Sequence, residues 1–147
     1  MLIKQETLNP AMIQQLEITL PAYSRGYHLI DSEILKKLQG LPAIGMLNLF
    51  LKHTSAALTI NENADPSVRD DFESIMNNIV PEKQSYYTHI YEGDDDMPAH
   101  VKASLLGPDL TIPIRNGCLE LGTWQGIYLC EFRNRGGRRK IIATIYS

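Results

Sequence analysis

The sequence is short of cysteine, of tryptophan and of long apolar runs, and each shortage removes a class of protein. Cys118 and Cys130 are its only two cysteines in 147 residues. They form no Cys-x-x-Cys pair, so neither a disulfide scaffold nor a cysteine-rich zinc knot fits. Both lie in apolar, strand-like settings and are expected to be buried, reduced and inert. No apolar run approaches the roughly 20 residues of a membrane-spanning helix. The N-terminus has no signal-peptide apolar core. A soluble, cytoplasmic protein without a membrane partner is therefore expected. The formal charge is -3, and the basic group from Arg133 to Lys140 is short and glycine-broken, which argues against nucleic acid as a partner. There is no P-loop and no dinucleotide-binding fingerprint. Ser55 has no Gly-x-Ser-x-Gly context, which disfavours a serine hydrolase. Repeats, linkers and low-complexity tracts are missing too. One domain over residues 1–147 is expected, with 1–10 as a loosely held arm.

What is present is a mixture of strand and helix patterns. Met12 to Leu20 alternates in part and reads as a strand closed by Pro21. Tyr27 to Ile30 reads as a short extended piece. Asp31 or Ser32 is placed to cap a helix carrying Ile34, Leu35 and Leu38, with Gly40 as its stop. Ile44 to Lys52 is a nearly continuous apolar run, which suits a central strand buried on both faces. Ala56 to Ile60 is a further strand, with His53 to Ser55 as the link. Asp65-Pro66 is a strong helix start. Val68, Phe72, Ile75, Met76 and Ile79 then mark one apolar face up to Pro81. Thr88 to Tyr91 reads as extended, Glu92 to Asp96 as an acidic turn, and Met97 to Leu106 as a helix with Met97, Val101 and Leu105 on one face. Two hairpins close the chain: 110–114 with 118–121 around Asn116-Gly117, and 126–132 with 140–145 around the Arg/Gly loop 133–139. The order lacks regular β-α alternation. It predicts a compact α+β domain with a largely antiparallel sheet or sandwich and two to three helices.

The stretch from His53 to Asp71 carries more polar chemistry than a strand-to-helix passage needs. Asp65 is explained by capping and the Val68 stripe by packing. His53, Thr54, Ser55, Asn61, Glu62 and Asn63 are explained by neither. Glu62 follows an apolar strand and is the best general acid/base candidate. Four histidines are present, His28, His53, His89 and His100, and the last two flank the carboxylates of Glu92 to Asp96. Imidazole with carboxylate suits zinc or another divalent ion. Convergence of His53, His89 and His100 would make a metal site, although each histidine alone also suits an ordinary hydrogen-bonded or surface role. A solvated cap on a helix start accounts for much of Asp94 to Asp96. The functional alternative turns one or two of them inward. Trp124 and Gln125 sit in a glycine-bounded turn, either as a core or interface anchor or as a flat wall for a heterocyclic substrate. Arg135, Arg138 and Arg139 form a basic loop, either solvated or phosphate-binding.

Several long motifs occur in order: His53-Thr-Ser-Ala-Ala-Leu-Thr-Ile-Asn-Glu-Asn63, Asp65-Pro-Ser-Val-Arg69, Tyr91-Glu-Gly-Asp-Asp-Asp-Met-Pro-Ala-His100-Val-Lys-Ala-Ser-Leu-Leu-Gly107, Gly122-Thr-Trp-Gln-Gly-Ile127 and Arg138-Arg-Lys-Ile-Ile-Ala-Thr144. With Ser24-Arg-Gly-Tyr-His28 they resemble the YjbQ-like family, also labelled secondary thiamine-phosphate synthase. The resemblance implies a compact α+β fold, a homotrimer, and a polar, plausibly metal-binding site near the subunit contacts. It implies a small enzyme that joins a pyrimidine-methyl diphosphate to a thiazole phosphate and expels pyrophosphate, as a secondary activity. Such a site needs a divalent ion (zinc or magnesium) or cations on the diphosphate, and a flat surface for the pyrimidine. On that reading His53, Asn61 and Glu62 are catalytic, and His53, His89 and His100 hold the metal. Ser55, Asn63, Asp65, Trp124, Gln125 and Arg138 then bind a phosphorylated small molecule. Many family members carry a His-x-His pair before the lysine of this helix. Here Pro98 takes the first position and only His100 remains, so His89 or an aspartate must complete the set. A metal-dependent phosphoester or small-metabolite hydrolase, and a noncatalytic trimer that holds a ligand or ion, are the competing functions.

Overall fold

The computed structural model describes residues 12–147. The arm expected over 1–10 lies outside them. The elements in order are β1 (Ile13–Ala22), β2 (Gly26–Leu29), α1 (Asp31–Lys37), β3 (Ile44–Leu51), β4 (Ala56–Glu62), α2 (Pro66–Ile79), α3 (Asp96–Leu106), β5 (Asp109–Arg115), β6 (Cys118–Leu119), β7 (Gln125–Glu131) and β8 (Arg138–Tyr146). They form two antiparallel sheets. One has five strands in the order β1-β8-β3-β5-β6, and the other has three in the order β2-β7-β4. The α+β architecture with three helices is as the sequence predicts.

Side-chain alternation builds three layers. Leu47, Leu49 and Leu51 of β3 meet Ile141, Ala143 and Ile145 of β8 across a core shared with Leu58 of β4 and Ile127 and Leu129 of β7. The intervening residues of the small sheet point the other way. Ala57, Tyr128 and Cys130 pack with Met76 of α2 and with Ala99 and Ala103 of α3. The small sheet is thus covered on both faces. The burial expected of β3 belongs to β4 and β7 instead: β3 is central, but Ile44, Met46 and Phe50 lie exposed on its outer face.

Local expectations fail where tertiary packing overrides them. The strand at 126–132 does not pair with the one at 140–145, because β7 and β8 belong to different sheets. The loop between them crosses from sheet to sheet, and the buried pair Glu131–Arg139 ties its two ends at 2.7 Å. The link from His53 to Ser55 makes a similar crossing from β3 to β4. Thr88 to Tyr91 is irregular, not a strand. Pro21 does not end β1, which continues to Ala22 through a register shift. Asp31 does not cap α1; both of its carboxylate oxygens accept from the Ile127 amide. Asp65 does cap α2, accepting from the Ser67 amide. Ile75 and Ile79 of α2 and Leu105 of α3 are exposed, and so is Cys118. Cys130 is buried, and burial pushes its thiol pKa up. The Asn116-Gly117 hairpin forms as expected, with both residues at positive φ. Among the described residues, no helix is long and apolar enough to cross a membrane.

Candidate metal centre

The acidic turn and α3 make a dense polar cluster. Gly93, at φ 110°, turns the chain so that α3 begins at Asp96. Asp96 and His100 then stand four residues apart on one helix face. The irregular segment before the turn brings in His89. One oxygen of Asp96, Oδ2, lies 2.7 Å from His89 Nε2 and 3.3 Å from His100 Nε2. Three candidate ligand atoms, one from each residue, lie within 4.8 Å of one another. Asp96 is 1% exposed, while His89 reaches the surface.

Arg133 closes the cluster from the crossing loop. Its Nη1 donates to Asp96 Oδ1 at 2.6 Å, its Nε to Asp95 Oδ2 at 2.9 Å, and its Nη2 to the Glu92 carbonyl at 2.8 Å. The Asn134 amide also donates to Asp95 Oδ2, at 2.8 Å. Burial opposes the charge on Asp95, but the Asn134 amide and the Arg133 guanidinium outweigh it and hold the carboxyl below its usual pKa. The inward aspartates are therefore Asp95 and Asp96, with Asp94 exposed as a solvated cap would be.

The tautomer of His100 is fixed by its other nitrogen. Nδ1 lies 3.0 Å from the Thr54 carbonyl, which can only accept, so Nδ1 carries a proton. A neutral His100 then directs the lone pair of Nε2 at the Asp96 carboxylate. Two lone pairs at 3.3 Å repel unless a cation lies between them, either a second proton on the imidazole or a metal ion. At 2.7 Å His89 Nε2 donates to Asp96 Oδ2, so it would have to move its proton to Nδ1 to serve as a ligand. Two imidazoles and a carboxylate, with one ring oriented by a backbone carbonyl, are then a donor set suited to zinc and similar ions.

His53 takes a different position. Its Nε2 accepts the Lys140 amide at 2.8 Å, so that nitrogen offers no lone pair to a metal and Nδ1 carries the proton. Burial, reinforced by the Arg139 cation, lowers its pKa and keeps it neutral. His53 lines a cavity of about 400 Å³ with Thr54, His100, Ala103, Ser104 and Pro108. It shares this cavity with His100 and is not one of the three grouped ligand candidates.

The remaining sequence candidates lie elsewhere. β4 is a straight ruler of roughly 3.3 Å per residue, which sets Ser55 and Glu62 roughly 20 Å apart. At the near end, Ser55 is buried and its Oγ accepts from Arg139. At the far end, Asn63 Nδ2 donates to the Thr123 and Gln125 carbonyls and shapes the turn that exposes Trp124. Gln125 Oε1 accepts from the Gly122 amide, and Asn61 Oδ1 from that of Glu62. The Glu62 carbonyl accepts from the Tyr128 hydroxyl. Arg138 Nε donates to the Leu20 carbonyl. One chain therefore does not gather His53 and Glu62 into one constellation. Sequence reasoning expects an aspartate of the turn to join the histidines but does not single out Asp96, because a helix starting at Met97 hides its i,i+4 relation to His100. It missed Arg133 because a sheet crossing read as a hairpin.

The fold is that of a small two-sheet α+β protein, and this chain carries an imidazole–carboxylate cluster at the start of α3. The fold is shared with a YbjQ-like protein of unknown function from Sulfolobus solfataricus (TM-score 0.79, 24% identity, 93% of this chain and 99% of that one). It is also shared with a conserved protein of the YjbQ/UPF0047 family from Clostridium acetobutylicum (TM-score 0.74, 35% identity, 90% and 99%). The UPF0047 protein YjbQ of Salmonella typhimurium is 55% identical over 136 residues, 91% of this chain and 98% of the relative. That of Escherichia coli O157:H7 is 52% identical over the same shares. The family described as UPF0047 protein YjbQ-like matches residues 15–147, and the chain belongs to it.

Proposed function

We propose that the protein is a metal-assisted enzyme acting on a phosphorylated small molecule, with thiamine-phosphate formation as the reaction to test first. The observation that carries this reading is the close approach of His100 Nε2 to Asp96 Oδ2 while Nδ1 is committed to the Thr54 carbonyl. His89, Asp96 and His100 would hold the ion. Two imidazoles favour zinc or another first-row ion over magnesium. A bound ion would neutralise and polarise a diphosphate or phosphoester oxygen. Arg133 occupies Asp96 Oδ1 and leaves Oδ2 to the imidazoles. His53, neutral, presents an Nδ1–H donor, and the cavity beside it would admit the substrate.

The homotrimer belongs to the same proposal. The outer face of the larger sheet exposes Ile13, Ile44, Met46, Phe50 and Tyr146, an apolar surface suited to a second copy. Assembly across subunits is also how Glu62 and Trp124 could approach a centre that their own chain holds them away from.

Protein purified without added metal, then titrated with zinc by calorimetry, tests the centre. Wild type should take up one ion, and Asp96→Asn or His100→Ala should weaken uptake about 100-fold or more, beyond the usual effect of an outer-shell partner. No uptake by wild type would sink the metal reading. Activity is tested on the pyrimidine diphosphate and thiazole phosphate together, with and without zinc. An inactive but zinc-loaded protein would overturn the synthase reaction and leave the centre standing.

A further inference from the structure

The candidate centre stands between two cavities of unequal size. His100 lines the larger, of about 400 Å³. His89 lines the smaller, of about 30 Å³, together with Lys83 and Asp94. The smaller space has room for little more than an oxygen atom. Their linings differ in charge. No lysine or arginine is among the described residues that line the larger cavity, whereas Lys83 is the one permanent cation among those that line the smaller.

Lys83 is held in place at a cost. Its φ is 57°, in the left-handed region that glycine enters freely and lysine enters with strain. The surrounding turn enforces that conformation. Arg25 Nη1 donates to the Glu82 carboxylate at 2.7 Å, and Gln84 Nε2 donates to the Glu82 carbonyl at 2.9 Å. The Tyr87 hydroxyl donates to the Pro81 carbonyl at 2.6 Å, and the Tyr87 amide to the Gln84 carbonyl at 3.1 Å. This turn needs a positive φ but no ammonium group, so its own geometry does not account for a lysine. The ammonium is engaged only loosely. Lys83 Nζ lies 3.6 Å from Asp94 Oδ2, with the two side chains 72% and 62% exposed. An ion pair so exposed adds little to stability and exchanges readily for another anion.

The two cavities give a bound substrate a direction. Its organic part fits the larger space beside His53 and His100, and an anionic end that passes the ion meets Lys83 on the His89 side. We propose that Lys83 is a specificity-determining residue of this centre: it leaves Asp94 for the terminal phosphoryl group of a diphosphate ester and so selects diphosphates over monophosphates. This role presupposes the ion held by His89, Asp96 and His100. An ammonium on a phosphoryl oxygen is a charge-assisted contact. A monophosphate has its single phosphoryl group on the ion and leaves Lys83 on Asp94.

The test titrates methyl diphosphate and methyl phosphate calorimetrically into the full chain loaded with cobalt, an ion suited to the same imidazole donors. The visible absorption of cobalt shows whether the ion stays in the protein. Wild type should bind the diphosphate at least about tenfold more tightly than the monophosphate, the worth of one charge-assisted hydrogen bond. Lys83→Gly should bring the two within about twofold, because that bond is gone. It should keep cobalt uptake and thermal stability, because glycine suits the turn. Lys83→Arg should retain the preference, and Asp94→Asn, which frees the ammonium, should retain or widen it. A cobalt-loaded Lys83→Gly protein with the full preference overturns the proposal. So does a wild type that binds both esters alike. Loss of cobalt from Lys83→Gly would make Lys83 a support of the centre and overturn its role in selection. Absence of cobalt uptake by wild type is the failure of the metal reading itself, seen before any ester is added, and the role of Lys83 falls with it.

Discussion

At the scale of single residues, His53 shows how a partner sets a role. An imidazole that accepts a backbone amide must be neutral, and burial with the nearby Arg139 cation lowers its pKa accordingly. The folded state then binds fewer protons than the unfolded chain between the lowered pKa and about 6.5. In that interval stability rises with pH. Its contribution is complete above about 6.5 and is lost as pH falls through the folded value. His53→Gln should therefore flatten the acid side of a melting-temperature profile below about pH 6.5, and a profile that keeps its wild-type slope there would remove this role. Arg133 makes the opposite point. Its three donors hold Asp95, Asp96 and the Glu92 carbonyl. Arg133→Lys cannot reproduce that fork. Zinc affinity should fall about 10–100-fold, as for an outer partner of a metal ligand, in the same calorimetric titration.

At the scale of elements, the decisive piece is the passage from β7 to β8. Glu131 and Arg139 are 0% and 4% exposed. A Cβ on Gly136 would stand 2.4 Å from the Glu131 carboxylate. Glu131→Gln leaves a buried guanidinium without its charge partner and should cost about 3–5 kcal/mol in denaturant unfolding. Gly136→Ala should destabilise by displacing the same pair. Most of the element inventory was legible in the sequence: alternation marks β4, and Asp65-Pro66 marks the start of α2. Which strands pair was not legible. A basic Gly-rich loop between two strands looks the same whether it turns back or crosses to another sheet. The pairing of the flanking strands distinguishes them: β7 lies between β2 and β4, and β8 between β1 and β3. The metal candidates divide in the same way. His89 and His100 stand out by type and by the acidic turn between them. The roles of Asp96 and Thr54 depend on where α3 begins and on where the β3–β4 link comes to rest.

At the scale of the whole molecule, the three layers leave one broad face that none of the described residues covers. The outer side of the larger sheet carries Met46 beside Tyr146, and Phe50 beside Ile142. If this face joins copies of the chain, Met46→Glu combined with Phe50→Lys should convert the assembly to monomers in sedimentation velocity, with the circular dichroism spectrum unchanged. An unaltered sedimentation coefficient would remove this face from the interface. The far-end residues Glu62 and Trp124 bear on the same question. A reaction that needs them together with the His89–His100 centre requires more than one chain, so the monomeric variant would bind zinc without turnover.

The hydrogen bond from the Asn134 amide to Asp95 provides an internal gauge of the centre. That amide lies on the crossing loop, yet its partner is the residue beside Asp96. Its deuterium uptake therefore reports how tightly the acidic turn is held. Loading the centre with an ion should slow that exchange while leaving the amides around the Asn116-Gly117 turn as they were. One backbone position then distinguishes a filled site from an empty one without any knowledge of the substrate.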